Sequence, residues 1–397
     1  MVIKKLNEEN IRLNYSLSLA TKWILNSGLQ INKKNNIDFG AVYAWYDAKY
    51  KKYSYLYSEI TGYYVTLFCF LFKLTKKKIF LSRAENAAQW LINIAQCNFG
   101  GFKCLNLINR SINISYKENL SYNFDNGVIL NGLINLYKIN NSQKILKSAI
   151  KCGNWILKCL KKNGSIYPVY NFKDKKFIIN KKEWSLVSGP FHSKVAIGLY
   201  NLYDVTKDKK YFIAANKIIK NALSKQSNQG NFKCTEFHTN LHPHCYSMEG
   251  LWVANKINPT NKIKTSIKKG INWSLKKKKN FIPPRIYYFK NKKVFNFNFR
   301  LDALSQVLRL MYIFEDKKII FLQKKYIKKN LSLILKNQSK SLNKKQRGGF
   351  FWGNSSNGKK SYCINSWTTA FVIQLLYLYL KNKNNDNNLK MDPYYII

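Results

Sequence analysis

The chain has 397 residues, is 46% hydrophobic, and sets 68 Lys and Arg against 19 Asp and Glu, a formal charge of +49. Length alone allows two or three domains, but no Pro- or Ser-rich linker divides it, so one domain over 1–381 is expected, with a frayed Asn/Lys-rich tail at 382–397. The eight cysteines form no CxxC pair, which excludes the tetrathiolate zinc pattern. The first ten residues lack a signal-peptide core, and apolar runs such as 63–74 are too short to span a bilayer. These features predict a cytoplasmic chain with free thiols, no metal, no cofactor and no membrane insertion.

The charge points either to a nucleic-acid or membrane surface or to drift in composition. Lys, Asn and Ile are abundant together, as AT-rich coding DNA gives. The Lys runs at 76–78 and 276–279 fall between helices, where solvated lysines belong. The drift reading is preferred, and no nucleic-acid partner is expected.

In chain order, the apolar spacing predicts a helix over 11–26, with Leu13, Leu17, Ala20, Trp23 and Ile24 on one face. A loop, 40–45, follows. An apolar helix from 63 to 74 and an amphipathic one over 80–96 then end in Gly100-Gly101-Phe102. That unit recurs: 127–137 with 142–160, 193–203 with 209–224, 245–255 with 262–275, and 302–314 with 317–337, the last closed by Gly348-Gly349-Phe350. A final apolar helix, 366–380, has no partner after it.

The first helices begin near 63, 127, 193, 245, 302 and 366, so the period is about 52 to 66 residues. The unpaired helices at the two ends complete each other. The prediction is an all-α, closed (α/α)6 toroid of six helical hairpins, its N-terminal helix pairing with its C-terminal helix. Inner helices are apolar all round because they are buried on both sides, while outer helices need one apolar face.

Polar residues gather where the inner helices begin. Glu59, Asp125, His192 with Lys194, His242 and His244 with Glu249, Arg300 with Asp302 and Gln306, and Trp367 all stand at such starts. Helix N-termini carry unpaired N–H groups and the positive dipole end. Six of them around one cleft would favour an anionic ligand. With carboxylates so scarce, Glu59, Asp125, Glu249 and Asp302 are candidates for acid/base work, and His244 for proton transfer near neutrality. Asp125 could instead cap its helix and Asp302 compensate the dipole. Of His242 and His244, two residues apart, one is expected in the cleft and one in the packing. Candidate substrate contacts are Tyr43, Trp45, Tyr63, His192, Lys194, Tyr246, Arg300, Gln306, Trp352 and Trp367. Aromatic faces stack on sugar rings, and Arg300 could fork a carboxylate or pair with Asp302.

Ser58-Glu59-Ile60-Thr61-Gly62-Tyr63, Phe124-Asp125-Asn126-Gly127 and the segment 300–309 look like motifs of sugar-processing toroids. Over nearly its whole length the chain resembles the (α/α)6-toroid superfamily of six-hairpin glycosidases, unsaturated glucuronyl hydrolases and sugar epimerases. The resemblance implies a carbohydrate-active enzyme working on an acidic sugar or glycan as hydrolase, lyase or epimerase. A second likeness, Ala87-Ala88-Gln89-Trp90-Leu91 with Gln96 and Gly100-Gly101-Phe102, is to terpenoid cyclases, and His244-Cys245-Tyr246 resembles a prenyltransferase segment. Against both, the Asp-rich protonating motif and the zinc ligands are missing. A non-catalytic glycan-binding toroid is the remaining alternative.

Overall fold

A computed structural model describes residues 2–107, 115–180, 183–276, 278–289, 294–314, 323–383 and 391–397. Among these residues there are twelve α-helices. They are α1 (Val2–Asn26), α2 (Ser58–Thr75), α3 (Lys78–Trp90), α4 (Asn123–Asn140), α5 (Gln143–Lys158) and α6 (Val195–Thr206). The second half holds α7 (Lys209–Ser224), α8 (Leu241–Ile257), α9 (Asn261–Lys276), α10 (Leu301–Ile313), α11 (Lys324–Lys336) and α12 (Ser366–Lys383).

The even-numbered helices form the inner layer. Each packs on the next, and α12 packs back on α2; there the Tyr64 hydroxyl donates to the Ser366 carbonyl at 3.1 Å. The odd-numbered helices lie outside, each on its hairpin partner, with α1 on α12. This is the architecture expected from the repeat, including the pairing of the two end helices. The expected helix 317–337 is described only as α11, because 315–322 lie outside the described residues. The expected 80–96 helix is α3 followed by a π-turn, Leu91–Ala95.

The recurring Gly-aromatic loops turn out to be clamps between neighbouring outer helices. Gln96 ends its unit and donates from Nε2 to the carbonyls of Gly100 (3.1 Å) and Ser148 on α5 (3.0 Å), while the Ser148 hydroxyl donates back at 2.8 Å. Gln226 repeats this with Gly230 and Ser266, and Gln338 with Gly348 and Ser16 on α1. Gly100 and Gly348 hold φ of +106° and +95°, where a side chain is strained. A Cβ on Gly348 would also stand 2.2 Å from the Leu19 carbonyl oxygen of α1. The chain between α11 and α12 is thus seated on the first helix, and the Gln/Gly spacing that resembles terpenoid cyclases has a packing role here.

Short antiparallel strands precede several inner helices at their N-terminal ends: 56–57 before α2, 120–122 before α4, 238–240 before α8 and 363–365 before α12. They form the rim above the helix starts. At the opposite end, the expected frayed tail is corrected over 391–397. Tyr395, Ile396 and Ile397 are buried against α2, α4, α6 and α8. Asn131 and Asn135 each donate to the Tyr394 carbonyl at 2.8 Å, and Gln374 to the Tyr395 carbonyl at 2.8 Å. The polar composition of 382–390 hid three residues, Tyr395, Ile396 and Ile397, that pack against the inner helices. The described residues include no helix long and apolar enough to cross a membrane.

Candidate active site

At the N-terminal mouth of the inner helices lies a cleft of about 300 Å³, lined among others by Tyr57, Glu59, Asp125, Trp184, His242, Tyr246, Arg300 and Trp367. Six segments, each at or just before the start of an inner helix, therefore deliver residues to one space. The helix starts are left open for this: the residues before α2, α4, α8 and α10 make no side-chain cap. Asp125 is consequently not an N-cap, since that position is Tyr122.

Glu59 and Asp125 are the carboxyls of the cleft, and each is nearly enclosed. Burial lifts the Glu59 carboxyl to about 7, against the opposing pull of the Tyr57 hydroxyl and the Lys194 ammonium. Burial, and then the neighbouring Glu59, push Asp125 well above the usual carboxylate range, with Lys117 opposing. Asp125 Oδ2 is buried with no hydrogen-bond partner among the described residues. A buried oxygen left open beside a second carboxyl is costly unless something arrives to bond it.

His242 is the cleft histidine. Its Nδ1 stands 3.0 Å from Arg300 Nη1. A guanidinium only donates, so Nδ1 must accept, and the ring proton sits on Nε2. Burial first, then the adjacent Arg300, holds its pKa well below the ordinary value, so the ring is neutral. Trp184 meets the ring edge-on at 4.8 Å. Neutral His242 is thereby fixed as a hydrogen-bond donor toward its surroundings.

Arg300 is fully engaged. It donates from Nε (3.1 Å) and Nη2 to Asp302, and from Nη1 to His242. Its guanidinium also lies over Trp352, 4.8 Å from the ring centroid. The expected carboxylate fork for a substrate is therefore replaced by the internal pair with Asp302. Burial would raise the Asp302 carboxyl, but Arg300 and the Trp367 indole outweigh it and hold it at about 2. Asp302 is an ionised, paired group that orients Arg300 and Trp367 (indole to Oδ2, 3.0 Å), not a proton donor.

His244 and Glu249 also require correction. His244 points away from the cleft, toward α9. Its Nδ1 accepts from the Phe232 N–H at 3.2 Å, and its Nε2 lies 3.1 Å from both the Gly270 carbonyl and the Ser274 hydroxyl. Both nitrogens are used in packing. Glu249 lies below the cleft, fully buried between Lys194 (2.5 Å), Arg309 and Gln306 (3.3 Å).

Of the expected substrate contacts, Tyr246, Arg300 and Trp367 line the cleft. Trp45 backs Trp367 edge-on at 6.4 Å, and Tyr43 stacks on Tyr53. Trp352 lies between the guanidinia of Arg285 and Arg300. Tyr63, Lys194 and Gln306 are buried beneath the floor, and His192 is buried with Nδ1 against the Gly189 carbonyl. Tyr57 and His242 also line the cleft, His242 as the cleft member of the His242 and His244 pair, while Trp184 was not singled out from the sequence. A larger open groove of about 1,020 Å³ lies outside this cleft, with Lys225, Gln226, Lys233 and Glu236 among its lining residues. It has a single carboxylate, Glu236, whereas the smaller cleft holds the pair Glu59 and Asp125.

Residues 113–279 match the model of Glycosyl hydrolase family 76. That span contains Asp125, His242 and Tyr246. Among solved structures, the cellobiose 2-epimerase of Bacillus thermoamylovorans B4167 superposes with a TM-score of 0.73 at 14% identity, over 94% of this chain and 99% of that one. The two chains share one fold, a ring of helical hairpins. The cellobiose 2-epimerase of Spirochaeta thermophila DSM 6192 gives 0.72 at 10% identity (96% and 98% covered). An unsaturated glucuronyl hydrolase specific for heparin gives 0.63 at 12% (94% and 98%). Comparison by sequence with curated proteins gave no match. Family match and fold together support a carbohydrate-active enzyme.

Proposed function

We propose that the chain hydrolyses a glycosidic bond, with Asp125 as general acid and Glu59 as base or nucleophile. The observation that carries this is the unsatisfied Oδ2 of buried Asp125, facing a sugar-sized aromatic cleft beside a second carboxyl. The two environments push the roles apart. Burial and the neighbouring Glu59 push Asp125 well above the usual carboxylate range, as suits a proton donor, whereas Glu59 gives its proton up near 7. Asp125 transfers its proton to the leaving-group oxygen as the C–O bond breaks. Glu59 either takes a proton from water or bonds to the anomeric carbon, and the first-released anomer distinguishes the two.

Epimerisation or elimination needs a base beside the carbon acid. His242 suits that poorly, because its free nitrogen carries the proton and Nδ1 is occupied by Arg300. The sugar's charge follows from the same contact. With Arg300 given over to Asp302 and His242, recognition falls to aromatic faces and hydroxyl bonding, and a neutral sugar unit is favoured over the acidic one expected from the sequence. A volume of about 300 Å³ is at the small end of ligand pockets and suits a sugar unit or two.

The test is turnover, read by mass and anomer-resolved NMR, on neutral and uronate-containing oligosaccharides. Wild type should release a reducing sugar, and Glu59→Gln and Asp125→Asn should each lose about 100- to 10,000-fold while still folded. An isomerised product of unchanged mass would replace hydrolysis by epimerisation. Binding without turnover would make the chain a glycan receptor.

A further inference from the structure

Beneath the cleft lies an ion cluster that the acid/base pair does not use directly. Glu249 holds Lys194 Nζ at 2.5 Å on Oε2, and on Oε1 it takes Arg309 Nη2 and Gln306 Nε2 (3.3 Å). Arg309 passes on to Gln374 Oε1 at 2.8 Å, which in turn carries the tail through Tyr395. All of these side chains are buried.

Among the described residues, the two cations share this one anion. Arg309 faces Phe371 and Gln374. The Lys194 ammonium lies over the rings of Tyr246, 4.6 Å from the centroid, and Tyr63, 5.0 Å. Tyr246 lines the cleft, and Tyr63 is one helical turn after Glu59 on α2. The Lys194 ammonium thus lies between the core and a cleft residue, beside the ring one turn along α2 from Glu59. A buried charge demands a partner, and Glu249 is already shared.

We propose that Lys194, fixed by Glu249 and Arg309, is a positioning residue that keeps Glu59 as the carboxylate of the Glu59–Asp125 pair. Lys194 acts on the Glu59 side, whereas Asp125 has Lys117 facing it. The remaining groups that face Glu59 do not supply this charge. Tyr55, Tyr57, Tyr63 and Tyr246 are neutral phenols raised by burial, and Cys104 is a buried thiol raised in the same way. Arg300 is balanced by Asp302, and His242 is neutral. Without the ammonium, the burial that raises Glu59 would go unopposed by a nearby cation, and the carboxyl would hold its proton to higher pH. The assignment of base and acid rests on the hydrolytic reading; the control of the Glu59 charge does not.

The experiment is an infrared pH titration of the protonated carboxyl bands, with the Glu59 band assigned as the one lost in Glu59→Gln. It needs no substrate. Lys194→Met leaves Glu249 paired with Arg309, and should move the Glu59 midpoint up by about one pH unit or more. Lys194→Arg should restore it. If Lys194→Met does not fold, Lys194→Gln, which retains a donor for Glu249, carries the same expectation. An unmoved midpoint in a folded variant overturns the proposal even if a glycan is cleaved. A moved midpoint with no turnover of any glycan upholds it while the hydrolytic reading falls.

Discussion

Replacing Glu59 by Gln should stabilise the protein, and the gain should depend on pH in a way set by the cleft. Burial holds the Glu59 carboxyl at about 7 rather than the 4.5 of an exposed glutamate. Below pH 4.5 the group is protonated both in the folded and in the unfolded chain, and it contributes no difference. Between 4.5 and about 7 the unfolded chain releases its proton while the folded chain retains it, so each step up in pH favours unfolding. Above about 7 both are ionised and the whole cost is present. Each pKa unit corresponds to about 1.4 kcal/mol, and the rise from 4.5 to about 7 makes that cost roughly 3 kcal/mol. Gln matches the shape of the protonated acid and has no proton to release. Urea unfolding of wild type and Glu59→Gln at a series of pH values should give equal stabilities near pH 4. The gap in favour of Gln should open through the 4.5 to 7 window and level at up to about 3 kcal/mol. A gap of the same size at every pH, or one favouring wild type at pH 8, would mean that Glu59 is not a buried carboxyl held against its solvation.

His244→Ala should lower stability and leave turnover per folded molecule unchanged, because the ring serves the Phe232 N–H and α9 rather than the cleft. An orphaned buried N–H and the vacated ring volume together cost about 2 to 4 kcal/mol. A hundredfold loss of kcat in the folded variant would return His244 to the catalytic set. Removal of residues 391–397 should lower the urea midpoint, since Tyr395, Ile396 and Ile397 are buried and each such side chain is worth about 1.5 to 3 kcal/mol. For three side chains that is about 4.5 to 9 kcal/mol, an upper figure because the unfolded chain hides part of that surface. An unchanged midpoint would show that the segment does not seal the inner helices in solution.

The ring was legible because its cause is repetitive. Six helices that must be apolar all round, alternating with helices of one apolar face, leave a pattern that survives the drift toward Lys and Asn. The Gly-aromatic loops were visible for the same reason, but not their use. Gln96, Gln226 and Gln338 each stand alone in the sequence, and only the neighbouring hairpin supplies the Ser148, Ser266 and Ser16 that make them clamps. The carboxyls of the cleft were legible through scarcity. Their partners were not, since whether Arg300 serves a ligand or Asp302 depends on a side-chain path that spacing does not record.

The residues misassigned as catalytic share a geometry that the sequence does contain. On a helix with 3.6 residues per turn, positions i, i+4 and i+7 share a face, and i+2 points away. Counted from His242 on α8, Tyr246 and Glu249 share its face, while His244 turns toward α9. On α10, Asp302, Gln306 and Arg309 form the same stripe, and on α2 it is Glu59 and Tyr63. Each stripe runs from the mouth into the core at 1.5 Å per residue, so seven residues descend about 10 Å. A charged residue in the first turn can meet solvent and substrate. One two turns deeper can meet only the other stripes, and so Glu249 and Arg309 find each other, with Lys194 joining Glu249 from the residue just before α6. In a ring of inner helices, depth along the inward stripe separates the cleft carboxyls from the buried ion cluster. Glu59 and Asp125 both stand at the shallow end of that scale.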